Sequence, residues 1–193
     1  MSTLKVLRAT GYPRMPWKNG GGSTEEITRD EAGATLDGFG WRVSIADIST
    51  SGDFSRFAGY QRIITVLQGD GMVLQVEGKD SRALLPFDAF AFSGDSAVSS
   101  TLLGGAIRDF NLIYSPLRFR ARLQWYDGIV PVSVFTCADT VLVFSGCDDL
   151  QARIAGHGAQ TLGIYDCLQL ECAGVLTKMG LAGRCCVIEL TAR

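Results

Sequence analysis

The residues best suited to bind a small charged molecule are two arginines on predicted strands. Arg42 shares one face of an alternating segment with Ser44 and Ala46, and Arg62 directly precedes the apolar run at 63–67. A guanidinium group can hold a carboxylate or a phosphate through two parallel hydrogen bonds. An arginine that faces the inside of a small barrel is costly unless an acidic side chain or a ligand pairs with it. Both arginines are therefore candidates for binding an anion.

A carboxylate and an amide alternate in the segment Asp109-Phe110-Asn111. Because side chains two residues apart lie on the same face of a strand, Asp109 and Asn111 could orient a polar ligand together. A pair of turn or edge residues is an equally good interpretation of this segment. Both interpretations stay open on the sequence alone.

Three glycines at 20–22 follow Lys18 and Asn19 and precede Ser23 and Thr24. These are the components of a phosphate-binding loop in the wrong order, because the lysine of that loop follows the glycines and directly precedes the Ser or Thr. The glycines still permit exposed backbone N–H groups that could bind a small anion. The alternative interpretation is a plain flexible turn.

His157 is the single histidine, and glycines flank it on both sides, as is typical of a loop. One imidazole cannot supply the two-histidine ligand sets of most catalytic zinc, copper and non-haem iron sites. If the protein used acid–base chemistry, its general base would have to be Asp109, Glu26 or His157.

The composition narrows the classes of partner. The chain has 193 residues, a formal charge of -2 and 47% hydrophobic residues, which indicates a globular protein of one large or two small domains. We expect no nucleic-acid partner, since no Lys/Arg-rich run occurs, and no membrane partner, since no apolar run reaches 18 residues. The N-terminal segment lacks the apolar region of a secretion signal, so we expect a reduced cytoplasmic protein. In it the six cysteines would be mostly buried free thiols, at positions 137, 147, 167, 172, 185 and 186.

The hydrophobic pattern is that of strands. Trp41–Ile48 alternates apolar with polar or small residues, and the runs at 63–67 and 72–77 predict a hairpin closed by glycines. We interpret 23–29 as extended, whereas 148–154 predicts at most one or two helical turns. Turn residues every 8–12 positions favour an all-β barrel or sandwich with little helix.

Three pairs of segments repeat in the same order about 77 residues apart, which favours a duplicated unit. The first copy would span about 52–115 and the second about 132–193, with 116–131 as the connection. We therefore place the two domains at 1–115 and 116–193. The paired segments are Val66–Gly69 with Phe144–Gly146, Leu85–Phe90 with Leu162–Leu168, and Phe110–Ile113 with Cys186–Glu189.

A longer ordered set of motifs resembles the HutD/Ves family over residues 5 to 190, most specifically in its first member. These motifs are Pro16-Trp17-Lys18-Asn19-Gly20-Gly21-Gly22, Trp41-Arg42-x-Ser44-x-Ala46-x-Ile48, Gly52-x-Phe54-Ser55-x-Phe57-x-Gly59, Arg62, Leu67-x-Gly69-x-Gly71, Pro86-Phe87-x-x-Phe90 and Asp109-Phe110-Asn111.

The resemblance implies a double-cupin (bicupin) fold of antiparallel strands in a cytoplasmic bacterial protein that is often associated with histidine utilisation. It also implies a role in binding formylglutamate, an intermediate of histidine breakdown, to limit flux, whereas Ves members are linked to environmental or cold responses. Cupins commonly bind metal through His-x-His, a glutamate and a later histidine. The comparable stretch here, 54–62, contains no histidine.

We therefore expect a metal-independent, cofactor-free binding or regulatory protein for a small anionic metabolite. By position in the motifs, its ligand-binding residues would be Lys18, Asn19, Arg42, Arg62, Asp109 and Asn111. The alternative is a metal-free isomerase, epimerase or hydrolase that uses Asp109, Glu26 or His157. A third possibility is an oligomeric scaffold, and we expect a homodimer in every case.

Overall fold

The computed structural model describes residues 2–30 and 38–193, which form an all-β fold. The one helical element in this part of the chain is the 3-10 turn Ala9–Gly11. In chain order the strands are β1 (Thr3–Leu7), β2 (Arg14–Pro16), β3 (Gly22–Arg29), β4 (Trp41–Ile48), β5 (Gly52–Asp53), β6 (Gln61–Gln68), β7 (Met72–Val76), β8 (Lys79–Asp80), β9 (Ala89–Ser93), β10 (Val98–Leu102), β11 (Ile107–Tyr114), β12 (Phe119–Tyr126), β13 (Val132–Thr136), β14 (Thr140–Ser145), β15 (Leu150–Ile154), β16 (Gly158–Leu162), β17 (Cys167–Glu171), β18 (Thr177–Ala182) and β19 (Cys185–Ala192).

The first compact unit, Tyr12–Leu117, has two antiparallel sheets. One has six strands in the order β2-β3-β4-β11-β6-β9, and the other has four in the order β5-β10-β7-β8. Apolar side chains from both sheets form its core, among them Ile64, Leu74 and Ile107. Burying these side chains drives the packing of the two sheets.

The second compact unit combines the residues up to Gly11 with Arg118–Arg193. Its sheets have the orders β1-β17-β14-β19-β12 and β13-β18-β15-β16. The sequence-based division assigned residues 1–11 to the N-terminal domain. The structure groups them with the C-terminal residues instead, because β1 pairs along its whole length with β17.

The two units repeat one topology, as the double-cupin expectation requires. The order β4-β11-β6-β9 in the first unit corresponds to β12-β19-β14-β17 in the second, and β5-β10-β7-β8 corresponds to β13-β18-β15-β16. The repeat begins earlier than predicted, at β4 and at β12. Strand β12 therefore lies inside the segment 116–131 that we interpreted as a connection.

Two local predictions were wrong, and one was confirmed. Strands β6 and β7 do not form a hairpin, because they belong to different sheets, and the chain crosses between the sheets at Gly69 and Gly71, whose φ angles are 96° and 101°. The predicted helical turns at 148–154 are instead a turn at 148–149 followed by strand β15, whose residues are alternately buried and exposed. The extended conformation of 23–29 is confirmed by β3.

Candidate functional site

Four of the six predicted ligand-binding residues lie together on one face of the six-stranded sheet. Arg42 on β4 and Arg62 on β6 are both paired with Ile113, which lies between them on β11. One step along the same face, Asn111 pairs with Ser44 and Ile64, and Asp109 follows. Two strand spacings, about 10 Å, therefore separate the backbones of the two arginines, and their side chains share one polar cluster.

Arg62 is held in place by hydrogen bonds on both sides of its guanidinium group. Its Nη2 and Nε donate to the amide oxygen of Asn111 at 2.9 and 3.3 Å, and its Nη1 donates to the backbone oxygen of Ser55 at 3.1 Å. Burial lowers the pKa of Arg62 to about 10, an effect that Asp109 opposes and Arg42 adds to. Arg62 is therefore a cation at neutral pH.

Aromatic rings surround both guanidinium groups. The Arg62 group lies 5.0–5.4 Å from the ring centroids of Phe54, Phe57 and Phe92. The Arg42 group lies 5.2 Å from the Phe39 ring and 5.5 Å from the Phe57 ring. Ring faces attract cations, so this cage stabilises two positive charges that are removed from water. Phe57 contacts both arginines and lies in the segment between β5 and β6.

Asp109 lies at the inner end of the cluster and is completely buried. Its Oδ2 accepts a hydrogen bond of 3.0 Å from the amide nitrogen of Asn111, whereas its Oδ1 has no hydrogen-bond partner among the described residues. Burial raises the pKa of Asp109 to about 7, and the charge of Arg62 and the bond from Asn111 oppose this rise. A buried carboxyl group with this pKa titrates near neutral pH.

Arg42 completes the cluster and is the less well paired of the two arginines. Its Nε is buried without a hydrogen-bond partner in the described part of the chain. Burial lowers the pKa of Arg42, the nearby charge of Glu26 raises it, and Arg29 lowers it further. Glu26 itself forms an ion pair of 3.0 Å with Arg29. Arg42 thus presents a buried positive charge with an unused hydrogen-bond donor.

The structure does not bring Lys18 and Asn19 to this cluster. Both lie on an exposed turn in which the Asn19 side-chain oxygen accepts a hydrogen bond of 3.0 Å from the backbone N–H of Gly21. The turn leads into Gly22, which pairs with Ile48 at the far end of β4 from Arg42. Six residues of strand, about 20 Å, separate this end from Arg42, and two residues separate it from Ala46, the partner of Asp109. The plain-turn interpretation of this segment therefore fits the structure.

His157 belongs to the second compact unit. Its Nε2 is 2.8 Å from the hydroxyl oxygen of Ser2.

Two parts of the site were not predicted from the sequence, namely the aromatic cage and Arg29. The motif containing Phe54 and Phe57 was visible in the sequence, but alternation along a strand cannot place side chains that come from a loop.

The corresponding position in the second repeat has a different character. Arg120 on β12 pairs with Thr191 on β19, in the same way as Arg42 on β4 pairs with Ile113 on β11. In this alignment of β19 with β11, Val187 corresponds to Asp109, and Glu189 corresponds to Asn111. Glu189 forms an exposed ion pair of 3.3 Å with Arg122. The buried cluster therefore belongs to the first unit.

Two surface clefts, of about 280 and 340 Å³, lie elsewhere in the molecule. Each runs along a row of paired residues on the outer face of a four-stranded sheet, Ser133–Gly180–Arg153 in one and Asp53–Ser99–Gln75 in the other. Their equivalent positions in the two repeats indicate the curvature of a twisted sheet rather than a specific site. The polar cluster, with its buried unpaired atoms, is the better candidate.

Within residues 2–30 and 38–193, no group of three or more His, Cys, Asp or Glu side chains could hold a metal ion. Among the same residues no helix is long and apolar enough to cross a membrane.

Comparisons with known proteins agree on one family. The HutD family model matches residues 9–187. An uncharacterized 21.2 kDa protein from the hutC 3' region of Pseudomonas putida is 64% identical over 193 residues, which is all of both chains. Protein Ves of Escherichia fergusonii is 42% identical over 112 residues, which is 58% of each chain.

Two solved structures resemble this chain over almost its whole length. HutD from Pseudomonas fluorescens SBW25, determined in a formate condition, is 59% identical with a TM-score of 0.89, over 99% of this chain and 100% of that one. The bacterial pirin YhhW from Escherichia coli is 9% identical with a TM-score of 0.70, over 98% of this chain and 99% of that one, and this similarity concerns the fold alone. The double-cupin architecture is thereby confirmed.

Proposed function

The chain belongs to the HutD family, which is associated with the histidine-utilisation locus, and on this premise we propose that it is a metal-independent binding protein for a small carboxylate-bearing metabolite. The single observation that carries the proposal is the buried pair Arg42 and Arg62 on the inner face of the six-stranded sheet. Two cations seldom remain buried side by side unless anionic partners compensate them. Asp109 and Glu26 compensate them only in part, because Asp109 titrates near pH 7 and Glu26 also forms an ion pair with Arg29.

Formylglutamate is the ligand that we propose. Its two carboxylates match the two guanidinium groups, and the bond to Arg42 would use the Nε atom that is buried without a partner. Asn111 uses one amide hydrogen on Asp109 and keeps a second one, which could contact the formyl oxygen. The expected roles of Lys18 and Asn19 are dropped from the proposal, since both lie on an exposed turn that leads into the end of β3 opposite the Arg42 end of β4.

Isothermal titration tests the proposal directly. Formylglutamate, glutamate and urocanate are titrated separately into the full-length chain at millimolar concentration. We expect saturable heat with one ligand per chain for formylglutamate and weaker binding of urocanate, which carries one carboxylate. Absence of heat with all three ligands contradicts a binding function.

The homodimer and the cytoplasmic location stay predictions.

A second candidate function is supported by the acid–base properties of Asp109. A buried carboxyl group with a pKa of about 7 is suited to act as a general base at neutral pH. Of the other two candidate bases, Glu26 is paired with Arg29, and His157 is hydrogen-bonded to Ser2 in the second unit. A metabolite screen with the wild type and Asp109→Asn distinguishes the two functions. If the wild type turns over a metabolite and Asp109→Asn does not, the result supports the metal-free enzyme. If the wild type turns over none of the metabolites, the result supports binding alone.

A further inference from the structure

The buried carboxyl group of Asp109 and the proposed anion-binding arginines are joined through a single side chain. Asn111 accepts hydrogen bonds from Arg62 on its amide oxygen and donates one to Asp109 from its amide nitrogen. The charge on Arg62 is therefore the main favourable contribution to the ionised form of Asp109. Whatever changes the effective charge of Arg62 must also change the affinity of Asp109 for a proton.

The surroundings of Asp109 supply little other stabilisation for a negative charge. Ala46 and Val66 lie directly opposite it on the neighbouring strands β4 and β6. Asp47, also on β4, disfavours its ionised form and is itself held by Arg14 and Arg108. On the inner face, Arg62, Arg42 and Arg29 lie in one row of paired residues, and Glu26 lies in the next row, opposite Ser44. The core between the two sheets is apolar.

A ligand carboxylate beside Arg62 offsets the cation on which the ionised Asp109 depends. It also adds a negative charge behind Asn111 in a region that water does not screen well. Both effects favour the protonated form of Asp109. Proton uptake and anion binding then strengthen one another, because linkage between two sites is reciprocal.

We propose that Asp109 takes up a proton from solvent when the arginine pair binds its anion, so that Asp109 sets the pH range over which the protein holds its ligand. This inference rests on the proposed binding function. The proton forms an O–H bond on the Asp109 carboxyl group, and Asp109 acts through Asn111 and Arg62 as a positioning residue. Ligand affinity falls as the pH rises above neutrality, because the ligand must then compete with an ionised Asp109.

Titration in two buffers tests this coupling. Formylglutamate is titrated into the wild-type chain at pH 7.5 in HEPES and in Tris, whose ionisation enthalpies differ. The difference between the two heats gives the number of protons bound. We expect an uptake of roughly 0.4–0.8 proton per ligand at pH 7.5. Between a pH well below and a pH well above the Asp109 pKa values, the Kd should weaken about tenfold for each unit by which ligand binding raises the pKa of Asp109.

Asp109→Asn is the decisive variant, because it resembles the protonated carboxyl group in shape and has no charge. We expect it to bind formylglutamate with no proton uptake and with a Kd that changes less than about twofold between pH 6 and pH 8.5. Binding without proton uptake by the wild type, or uptake that persists in the variant, overturns the inference while the binding function stands. No heat at any pH overturns both.

A second measurement keeps the inference testable if the variant does not fold. The ¹³C resonances of the aspartate carboxyl groups are followed from pH 5 to pH 9 in the wild type, with and without formylglutamate. An upward shift of the titration midpoint near neutral pH on ligand addition supports the coupling. A midpoint that the bound ligand leaves unchanged overturns it.

Discussion

The guanidinium group of Arg62 donates two hydrogen bonds to one amide oxygen of Asn111, from Nη2 at 2.9 Å and from Nε at 3.3 Å. The two residues lie on neighbouring strands and face the same interior. This pairing fixes the orientation of the amide, whose nitrogen then faces Asp109. Asn111 is therefore both a structural partner of a buried cation and the link to a buried acid.

Removing the Asn111 amide should destabilise the fold. Asn111→Ala leaves the buried Arg62 without its main acceptor and Asp109 without its donor, and we expect a loss of about 2–4 kcal/mol in the free energy of unfolding. Urea denaturation measures the change. Gln124→Ala on β12 is the control, since Gln124 is exposed and accepts a bond from Arg122. A loss for Asn111→Ala no greater than that of the control contradicts the assignment.

The stability of the protein should fall as the pH rises towards neutrality because of Asp109. Its pKa is raised from the ordinary 3.8 to about 7 in the folded state, so the folded state binds more protons than the unfolded state between these values. The stabilisation is complete below about pH 4 and is lost as the pH rises through 7. Between pH 5 and pH 8 this loss is about 2–3 kcal/mol. Asp109→Asn should remove this pH-dependent loss, and chemical denaturation at each pH measures the free energy of unfolding. Equal pH profiles for the wild type and the variant contradict the prediction.

The cysteines should differ sharply in reactivity. Cys137 is exposed and Cys147 is half-buried, whereas the other four thiols are buried. Burial raises the pKa of Cys185 to about 12 and also raises those of Cys167 and Cys186. A thiol reagent such as DTNB should modify Cys137 first in the native protein, then Cys147, and the remaining four only after unfolding. Rapid reaction of all six native thiols contradicts the buried placement.

Gly22 should tolerate no side chain. A Cβ atom there would overlap the backbone oxygen of Asp47 and lie 2.9 Å from the Trp17 ring. We expect Gly22→Ala to cost about 3 kcal/mol or more, since neither the strand backbone nor the packed indole can move freely. Gly11→Ala is the matched control, because a Cβ at Gly11 meets nothing within 4 Å. Thermal unfolding of both variants tests the difference, and similar midpoints contradict it.

Alternation along strands made most of the cluster predictable from the sequence. Arg42 lies in an alternating segment, and Asp109 and Asn111 share a face if their segment is a strand, whereas Arg62 only precedes a continuous apolar run. The structure brings all four together. The register between strands was not predictable, and that register places Lys18 and Asn19 at the other end of β4. The contribution of Phe57 was missed because a loop carries its ring to the arginines.

The errors in the fold have similar causes. A Gly-Asp-Gly turn between two apolar runs looks the same whether the chain returns along its neighbour or crosses to a facing sheet, and β6 and β7 do the latter. At β15 the residues Gln151, Ala152 and Arg153 favour a helix, yet pairing with β16 and β18 overrides this preference. Likewise no local pattern predicts that β1 pairs with β17, which lies more than 150 residues away along the chain.

The central claim is that a buried arginine pair binds a carboxylated metabolite, and titration of formylglutamate into matched arginine variants tests it most directly. Arg42→Gln removes the buried cation, and Arg120→Gln removes the exposed arginine at the corresponding position of the second repeat. We expect one ligand per wild-type chain, a Kd at least about tenfold weaker for Arg42→Gln, and a Kd within about twofold of wild type for Arg120→Gln. Equal binding by Arg42→Gln and wild type, or no binding by the wild type, contradicts it.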